Sequence, residues 1–369
     1  MKVLHLVPAL EQGGVETVIC DINRVAAAGG WENVVVSSGG RLVARIEADG
    51  GRHLTLDVKS KNPLTYFTRA ARLRRILQAE RPDLVCAHSR VPAWLFVWAN
   101  RKLGLRWITY AHGANSVSRY SEVMTRGDLT VTPSRFLADY LKRSYGLSED
   151  RIRVINPAVD SRRFDPSALD LDFVADRRKA WGIAPDMFVA MAVGRITPIK
   201  GYDTLIRAVP RLRAAIPCFR LVIVGDAEPK HREYAQSLAT LAAELGVTEH
   251  MVFAGGEAKV PECLSLASVV VSANTRKPET FGLSMAEALM MGRPVVAKAF
   301  GGALDIVQDG VSGVLVRADA TDDVAAFADA IAKVHGSHFG DLRKDACRRF
   351  DAAAMASRTR AVYDEVLHA

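Results

Sequence analysis

Short apolar runs of strand length recur along this chain, each separated from the next by an amphipathic segment of helix length. That alternation restricts the fold more than any other feature. Residues 3–7, 34–37, 84–87, 107–110, 129–132 and 152–155 read as strands, and 15–27, 68–79, 92–103 and 135–145 as helices. Strands buried on both faces show continuous rather than alternating hydrophobicity. The series therefore predicts a parallel sheet covered by helices on either side.

From 156 to about 185 the regularity lapses, and Pro157, Pro166 and Pro185 punctuate a polar, charged stretch that fits a domain boundary. A second series follows, with strands at 188–193, 221–224, 269–272 and 295–297 and helices at 202–215, 233–245, 283–291 and 322–334. A chain of 369 residues exceeds what one core usually fills. The expected architecture is α/β, with two doubly wound domains, 1–165 and 166–351, facing each other across a cleft. A terminal helix at about 352–369 is expected to pack back on the first domain. Ligands of open α/β sheets bind at the carboxyl ends of strands, so the functional residues are sought there.

No apolar run approaches the roughly 20 residues needed to cross a bilayer. The apolar start 3–7 is stopped by Pro8 before a signal-peptide core forms, and it reads as a first strand. Cys20, Cys86, Cys218, Cys263 and Cys347 show neither disulfide-like nor metal-ligand spacing, which suits a reducing cytosol. A cytoplasmic protein is expected, peripheral on the inner face of the membrane if its basic surface docks there.

The net charge of +8 is unevenly placed. Residues 1–165 carry 25 Lys and Arg against 16 Asp and Glu, whereas 166–369 carry 24 against 25. Between Lys59 and Arg81 the only acid is Glu80. Arg69, Arg72 and Arg75, beside Tyr66 and Phe67, are expected to form a surface for anionic lipid or an anionic glycan. Nucleic acid is not an expected partner.

Two segments of the second series carry the chemistry. Gly194-Arg195-Ile196-Thr197-Pro198-Ile199-Lys200-Gly201 follows a strand and opens a helix. Its glycines let backbone approach a ligand, and its two cations can neutralise a diphosphate, Arg as a fork and Lys as a point charge. In Glu279-Thr280-Phe281-Gly282-Leu283-Ser284-Met285-Ala286-Glu287 two carboxylates flank a helix start whose amides at Gly282 and Leu283 can bind an anion. The acids can accept hydrogen bonds from sugar or ribose hydroxyls. Solvated loop charges are the plainer reading of either segment alone.

Taken together these segments, with Gly292-Arg293-Pro294-Val295-Val296-Ala297 after them, resemble the retaining GT-B glycosyltransferases of the glycogen synthase-like family 4, the group 1 glycosyltransferases. The resemblance implies that Arg195 and Lys200 hold the donor diphosphate, with Gly194 beside them. It implies that Glu279 contacts the donor sugar, that Glu287 contacts the nucleotide ribose, and that the backbone at Phe281, Gly282 and Leu283 lies against sugar and phosphate. Gly13-Gly14 with Glu16 resembles the family's glycine loop. It places Gly14 near the donor, and Gly13 and Glu16 on the acceptor side. His112, at a strand end before Gly113, matches a histidine that contacts the donor sugar, and Arg90 is a candidate acceptor contact.

The implied reaction moves a sugar from a nucleotide-diphosphate sugar, UDP-linked by preference and GDP-linked as the alternative, to a glycan or lipid-linked glycan. Lipopolysaccharide or surface-polysaccharide synthesis is the expected setting. Catalysis is assigned to His112, Glu279, Arg195 and Lys200. No cofactor and no metal are expected: cations replace the ion that an Asp-x-Asp would chelate, and the chain is expected to lack that motif. A nucleotide-sugar epimerase and a non-catalytic sugar-nucleotide-binding subunit are the alternatives. No G-x-G-x-x-G follows Val193 or Val224, which weighs against a nicotinamide enzyme.

Overall fold

The computed structural model describes residues 1–11 and 14–369, with the backbone alone at 27 and 28. The chain forms two compact units, Met1–Ala158 joined by Ala352–Ala369, and Val159–Asp351.

The first unit is built on a seven-stranded sheet ordered β3-β2-β1-β4-β5-β6-β7. Its strands are β1 (Lys2–Leu6), β2 (Glu32–Ser37), β3 (Arg52–Thr55), β4 (Leu84–Ala87), β5 (Trp107–Tyr110), β6 (Leu129–Thr132) and β7 (Ile152–Val154). Every pairing is parallel, as unbroken apolar runs such as 34–36 require. One face packs on the helices Gly14–Gly29 and Ala352–His368, where Ile22, Trp31 and Tyr363 meet Val3, Cys86 and Tyr110. The Tyr110 hydroxyl donates to that of Tyr363 at 3.3 Å, fixing the terminal helix to β5. The other face packs on the helices Tyr66–Glu80 and Arg90–Ala99.

The second unit has a six-stranded parallel sheet ordered β10-β9-β8-β11-β12-β13. Its strands are β8 (Phe188–Val193), β9 (Phe219–Val224), β10 (Met251–Gly255), β11 (Val269–Ser272), β12 (Val295–Lys298) and β13 (Gly313–Val316). Residues 159–165 belong here rather than to the first unit. The Val159 amide donates to the Phe350 carbonyl, and Phe164 is buried beside Trp181.

Strand order reverses once in each sheet, between β1 and β4 and between β8 and β11. At such a switch the crossover loops diverge and leave a crevice at the carboxyl ends of the strands. Both sets of candidate residues lie at these two places.

Candidate active site

In the second unit, Lys200 and Glu279 arrive at the switch from opposite sides. The loop after β8 folds Lys200 back against its own strand end. There Gly201 has a φ of +65°, and a Cβ would lie 1.9 Å from the Ala273 carbonyl oxygen, so only glycine lets the loop close on β11. The Tyr202 hydroxyl donates to the Gly194 carbonyl at 2.8 Å and holds the loop's other end. Glu279 follows β11, and its Oε1 is ion-paired with Lys200 Nζ, both side chains mostly buried. Its second oxygen, Oε2, is buried without a hydrogen-bond donor among the described residues. Asn274 Nδ2 is in the same position, and both residues line a cavity of about 10 Å³ with Lys298 and Phe300.

Gly282 has a φ of +107°, and a Cβ there would lie 2.8 Å from Glu279 Oε2 and 2.2 Å from Met285 Cε. This glycine turns the chain into the helix Leu283–Met290 at the carboxylate's side. The first amides of that helix have no partner further back along it, so they present partial positive charge to the crevice. Phe281 contributes backbone only, because its ring is buried against Phe350. Glu287, one helical stretch further on, is partly covered. Burial pushes its carboxyl pKa up to about 7, although Arg163 pulls it down.

Arg195 differs from Lys200. Its side chain is 74% exposed, and its guanidinium donates to Glu228 at 2.6 Å. Glu228 also pairs with Lys230 at 2.7 Å. Lys230 and then Arg195 hold its carboxyl down at about 2. Glu228 carried no sequence signal, since it lies in the loop after β9 with no motif around it. Lys298, which donates to both carboxylate oxygens of Asp323 at 2.6 and 2.9 Å, was likewise unmarked.

In the first unit the switch opens into a hollow of about 310 Å³ lined by Glu16, His88, Arg90, His112 and Asn115 among others. Arg90 donates to Ser121 Oγ at 3.2 Å and lies over the Tyr120 ring. His112 reaches the hollow partly exposed, and burial of its ring lowers its pKa to about 4. Gly14 starts the first helix. Gly13 lies outside the described residues.

Two expectations need correction. Arg69 is not a surface cation. It is 5% exposed, and its guanidinium donates to the carbonyls of Asp57, Asn62 and Thr65, tying the 57–65 loop to the helix Tyr66–Glu80. Arg72 and Arg75 on the same helix are exposed, and so is Phe67 at 59%. An Asp-x-Asp does occur, at Asp170-Leu171-Asp172. It opens the helix Leu171–Ala180, where Asp170 caps the Phe173 amide at 3.1 Å and pairs with Lys259 while Asp172 is exposed. Its first carboxylate is thus engaged as a cap and an ion pair.

Residues 174–349 match the model for glycosyl transferases group 1, and residues 12–163 match that for glycosyltransferase family 4. The GDP-mannose-dependent α-(1-6)-phosphatidylinositol monomannoside mannosyltransferase of Mycolicibacterium smegmatis is 32% identical over 295 residues, covering 76% of this chain and 73% of the relative. The chain belongs to the family 4, group 1, glycosyltransferases. The D-inositol 3-phosphate glycosyltransferase of Stackebrandtia nassauensis is 37% identical over 242 residues, 64% of this chain. The chain spans about half the length of that relative, 50%. Among solved structures, a glycosyltransferase from Rickettsia africae superposes with a TM-score of 0.88 at 23% identity over 99% of this chain and 98% of the other. Anabaena HepE in complex with UDP superposes with a TM-score of 0.81 at 21% identity over 99% and 100%. These similarities identify the fold of the family 4 chain as GT-B in type.

Proposed function

We propose that this family 4 chain transfers a sugar, with retention, from a nucleotide-diphosphate sugar to a glycan or glycolipid acceptor. The donor is assigned to the β8–β11 switch. The observation that carries the reading is the convergence there of Lys200, Glu279 and the helix start at Gly282. An arriving diphosphate takes the Lys200 ammonium from Glu279. Its departing charge is then met by Lys200, by Arg195 and by the amides at Gly282 and Leu283, without a divalent metal. Glu279, released from its ion pair, accepts hydrogen bonds from the sugar. Glu287 accepts from the ribose, and His112 keeps the sugar-contact role that the family resemblance implies.

Acceptor recognition is assigned to the first unit, at Glu16 and Arg90, with Gly14 near the donor phosphates. Two relatives are named for inositol phosphate or phosphatidylinositol acceptors. Their anionic character suits the excess of Lys and Arg in residues 1–165. A lipopolysaccharide or surface-polysaccharide intermediate shares that character and is the acceptor class proposed. UDP-sugar is the first donor to try and GDP-sugar the second, since HepE was captured with UDP and the mycobacterial relative is named for GDP-mannose. Among the described residues, no helix is long and apolar enough to cross a membrane. Exposed Arg72, Arg75 and Phe67 support docking on an anionic cytoplasmic surface.

The test is donor consumption with and without acceptor in the presence of EDTA. Consumption that requires acceptor and ignores EDTA is the expected result. Interconversion of the donor sugar with no acceptor present would mean an epimerase instead.

A further inference from the structure

The loops after β8 and β11 bring Lys200 and Glu279 together, and a second contact joins the same two loops. Arg276, three residues before Glu279, donates from Nη1 to the carbonyl of Pro198, two residues before Lys200, at 3.3 Å. Its Nη2 donates at 2.8 Å to Oδ2 of Asp203, in the first turn of the helix Tyr202–Ala215 that the β8 loop opens. A guanidinium is a planar fork whose donors point at fixed angles. Bonds from it to two acceptors therefore set both the distance and the orientation of the loop that carries it. A third loop is tied in through the same carboxylate. The Tyr234 hydroxyl donates to Asp203 Oδ1 at 3.0 Å. Tyr234 lies in the helix Arg232–Glu244, just beyond the β9 loop in which Glu228 receives Arg195. Asp203 accepts with both oxygens and is a junction of the strand-end loops that carry Lys200, Glu279 and Glu228.

The junction matters once a donor arrives. A diphosphate that takes the Lys200 ammonium from Glu279 opens the direct link between the two loops just when their spacing must be kept. Lys200 then faces the diphosphate and Glu279 the sugar, and a misplacement of about 1 Å between groups that act together can cost about 10²-fold in rate. The bonds of Arg276 go to Pro198 and Asp203, so they do not depend on the Lys200–Glu279 pair. The Arg276 side chain is 54% exposed, and an exposed ion pair adds little to stability. Its use is then geometric.

We propose that Arg276 and Asp203, with Tyr234 behind Asp203, are positioning residues that hold the Lys200 and Glu279 loops at a fixed spacing after the donor has opened the Lys200–Glu279 pair. This deepens the proposed donor site and rests on it for its use. In ligand-free protein the two links are redundant, and in donor-bound protein the Arg276 link carries the spacing.

Redundancy is measured without any donor, by hydrogen exchange. The amide at 200 donates to the Thr197 carbonyl and that of Gly302 to the Glu279 carbonyl, so their exchange reports opening of the two loops. Arg276→Ala and Lys200→Met should each speed this exchange slightly, and the double variant should exceed the product of the two by ~10-fold. A purely multiplicative result would overturn the proposal. In turnover, Arg276→Ala should lower kcat by ~10-fold, with donor KM changed less and the melting temperature close to that of the wild type. Arg276→Lys, which can still pair with Asp203, should recover part of the loss. Asp203→Asn keeps the Tyr234 bond, weakens the pair with Arg276, and should lower kcat in the same direction. An unchanged kcat in Arg276→Ala would also overturn the proposal. So would an unchanged kcat in Asp203→Asn beside a loss in Arg276→Ala, because Arg276 would then act on the substrate itself. The exchange cycle requires no turnover. It can therefore fail while the transferase reading stands, or succeed if no donor is ever consumed.

Discussion

The two sheets reverse strand order at equivalent places, yet the groups gathered at the two switches are opposite in kind. At β8–β11 charges are held against one another: Lys200 with Glu279, and Arg195 and Lys230 with Glu228. At β1–β4 the hollow is backed by imidazoles that burial keeps neutral, with Glu16 and Arg90 also lining it. The net charges run the other way, since the excess of Lys and Arg lies in residues 1–165. Net charge thus reports the outer surface of a unit, and the charge of its site follows from the few side chains that the loops at strand ends carry inward. A switch of paired charges suits a diphosphate, and one that sets neutral imidazoles beside Glu16 and Arg90 suits hydroxyls that neighbour an anionic group.

Removing the charged member should break this contrast most severely. Lys200→Ala should lower transfer by roughly 10²-fold to 10³-fold, because one preorganised positive donor to the leaving group is lost and Glu279 is left without its counter-charge. Steady-state rates with saturating acceptor measure this. A drop confined to KM would show that Lys200 binds the donor without acting on its departure. Glu279→Gln keeps the shape and removes the charge, and a loss of about 10²-fold is expected by the same assay.

Glu287 sharpens the comparison through pH. Its carboxyl is raised on folding, so the native state binds more protons than the unfolded state between the usual carboxylate range and about 7. Its contribution to stability is therefore full at low pH and lost as pH rises through about 7. Ribose hydroxyls favour the ionised form, so donor affinity should rise over the same interval. Glu287→Gln should flatten both profiles, measured by calorimetric titration and by melting from pH 5 to 8. Replacing Arg72 and Arg75 with Ala should have the smallest effect, about 1 kcal/mol per cation on binding to anionic vesicles and none on donor affinity. Co-sedimentation with phosphatidylserine vesicles checks it.

Strands whose neighbours lie on both sides were legible from sequence, because burial on both faces leaves an unbroken apolar run such as 188–193 or 269–272. The strands without a sequence expectation, β3, β10 and β13, are all edges: Arg52 and His53 make β3 polar, whereas β10 and β13 are short apolar runs that end or begin on a glycine. Lys200, Glu279 and Gly282 were legible because glycines and charges at strand ends stand out locally. The junction at Asp203 was not, because Arg276 and Tyr234 lie far from it in sequence and meet it only when the strand-end loops fold together. Arg69 was misread for a related reason. Sequence shows a cation on a basic helix, whereas its burial depends on three carbonyls of a folded-back loop.

The central claim, a nucleotide-sugar site at the charged switch, is tested most directly by thermal stabilisation against UDP-, GDP-, ADP- and CMP-sugars in EDTA. A ligand present at 100 times its Kd stabilises the folded state by about 2.7 kcal/mol. The account predicts a raised Tm with a UDP- or GDP-sugar in the wild type, and a much smaller rise in Lys200→Ala and Glu287→Gln. No rise with any donor, or an equal rise in both variants, would contradict it.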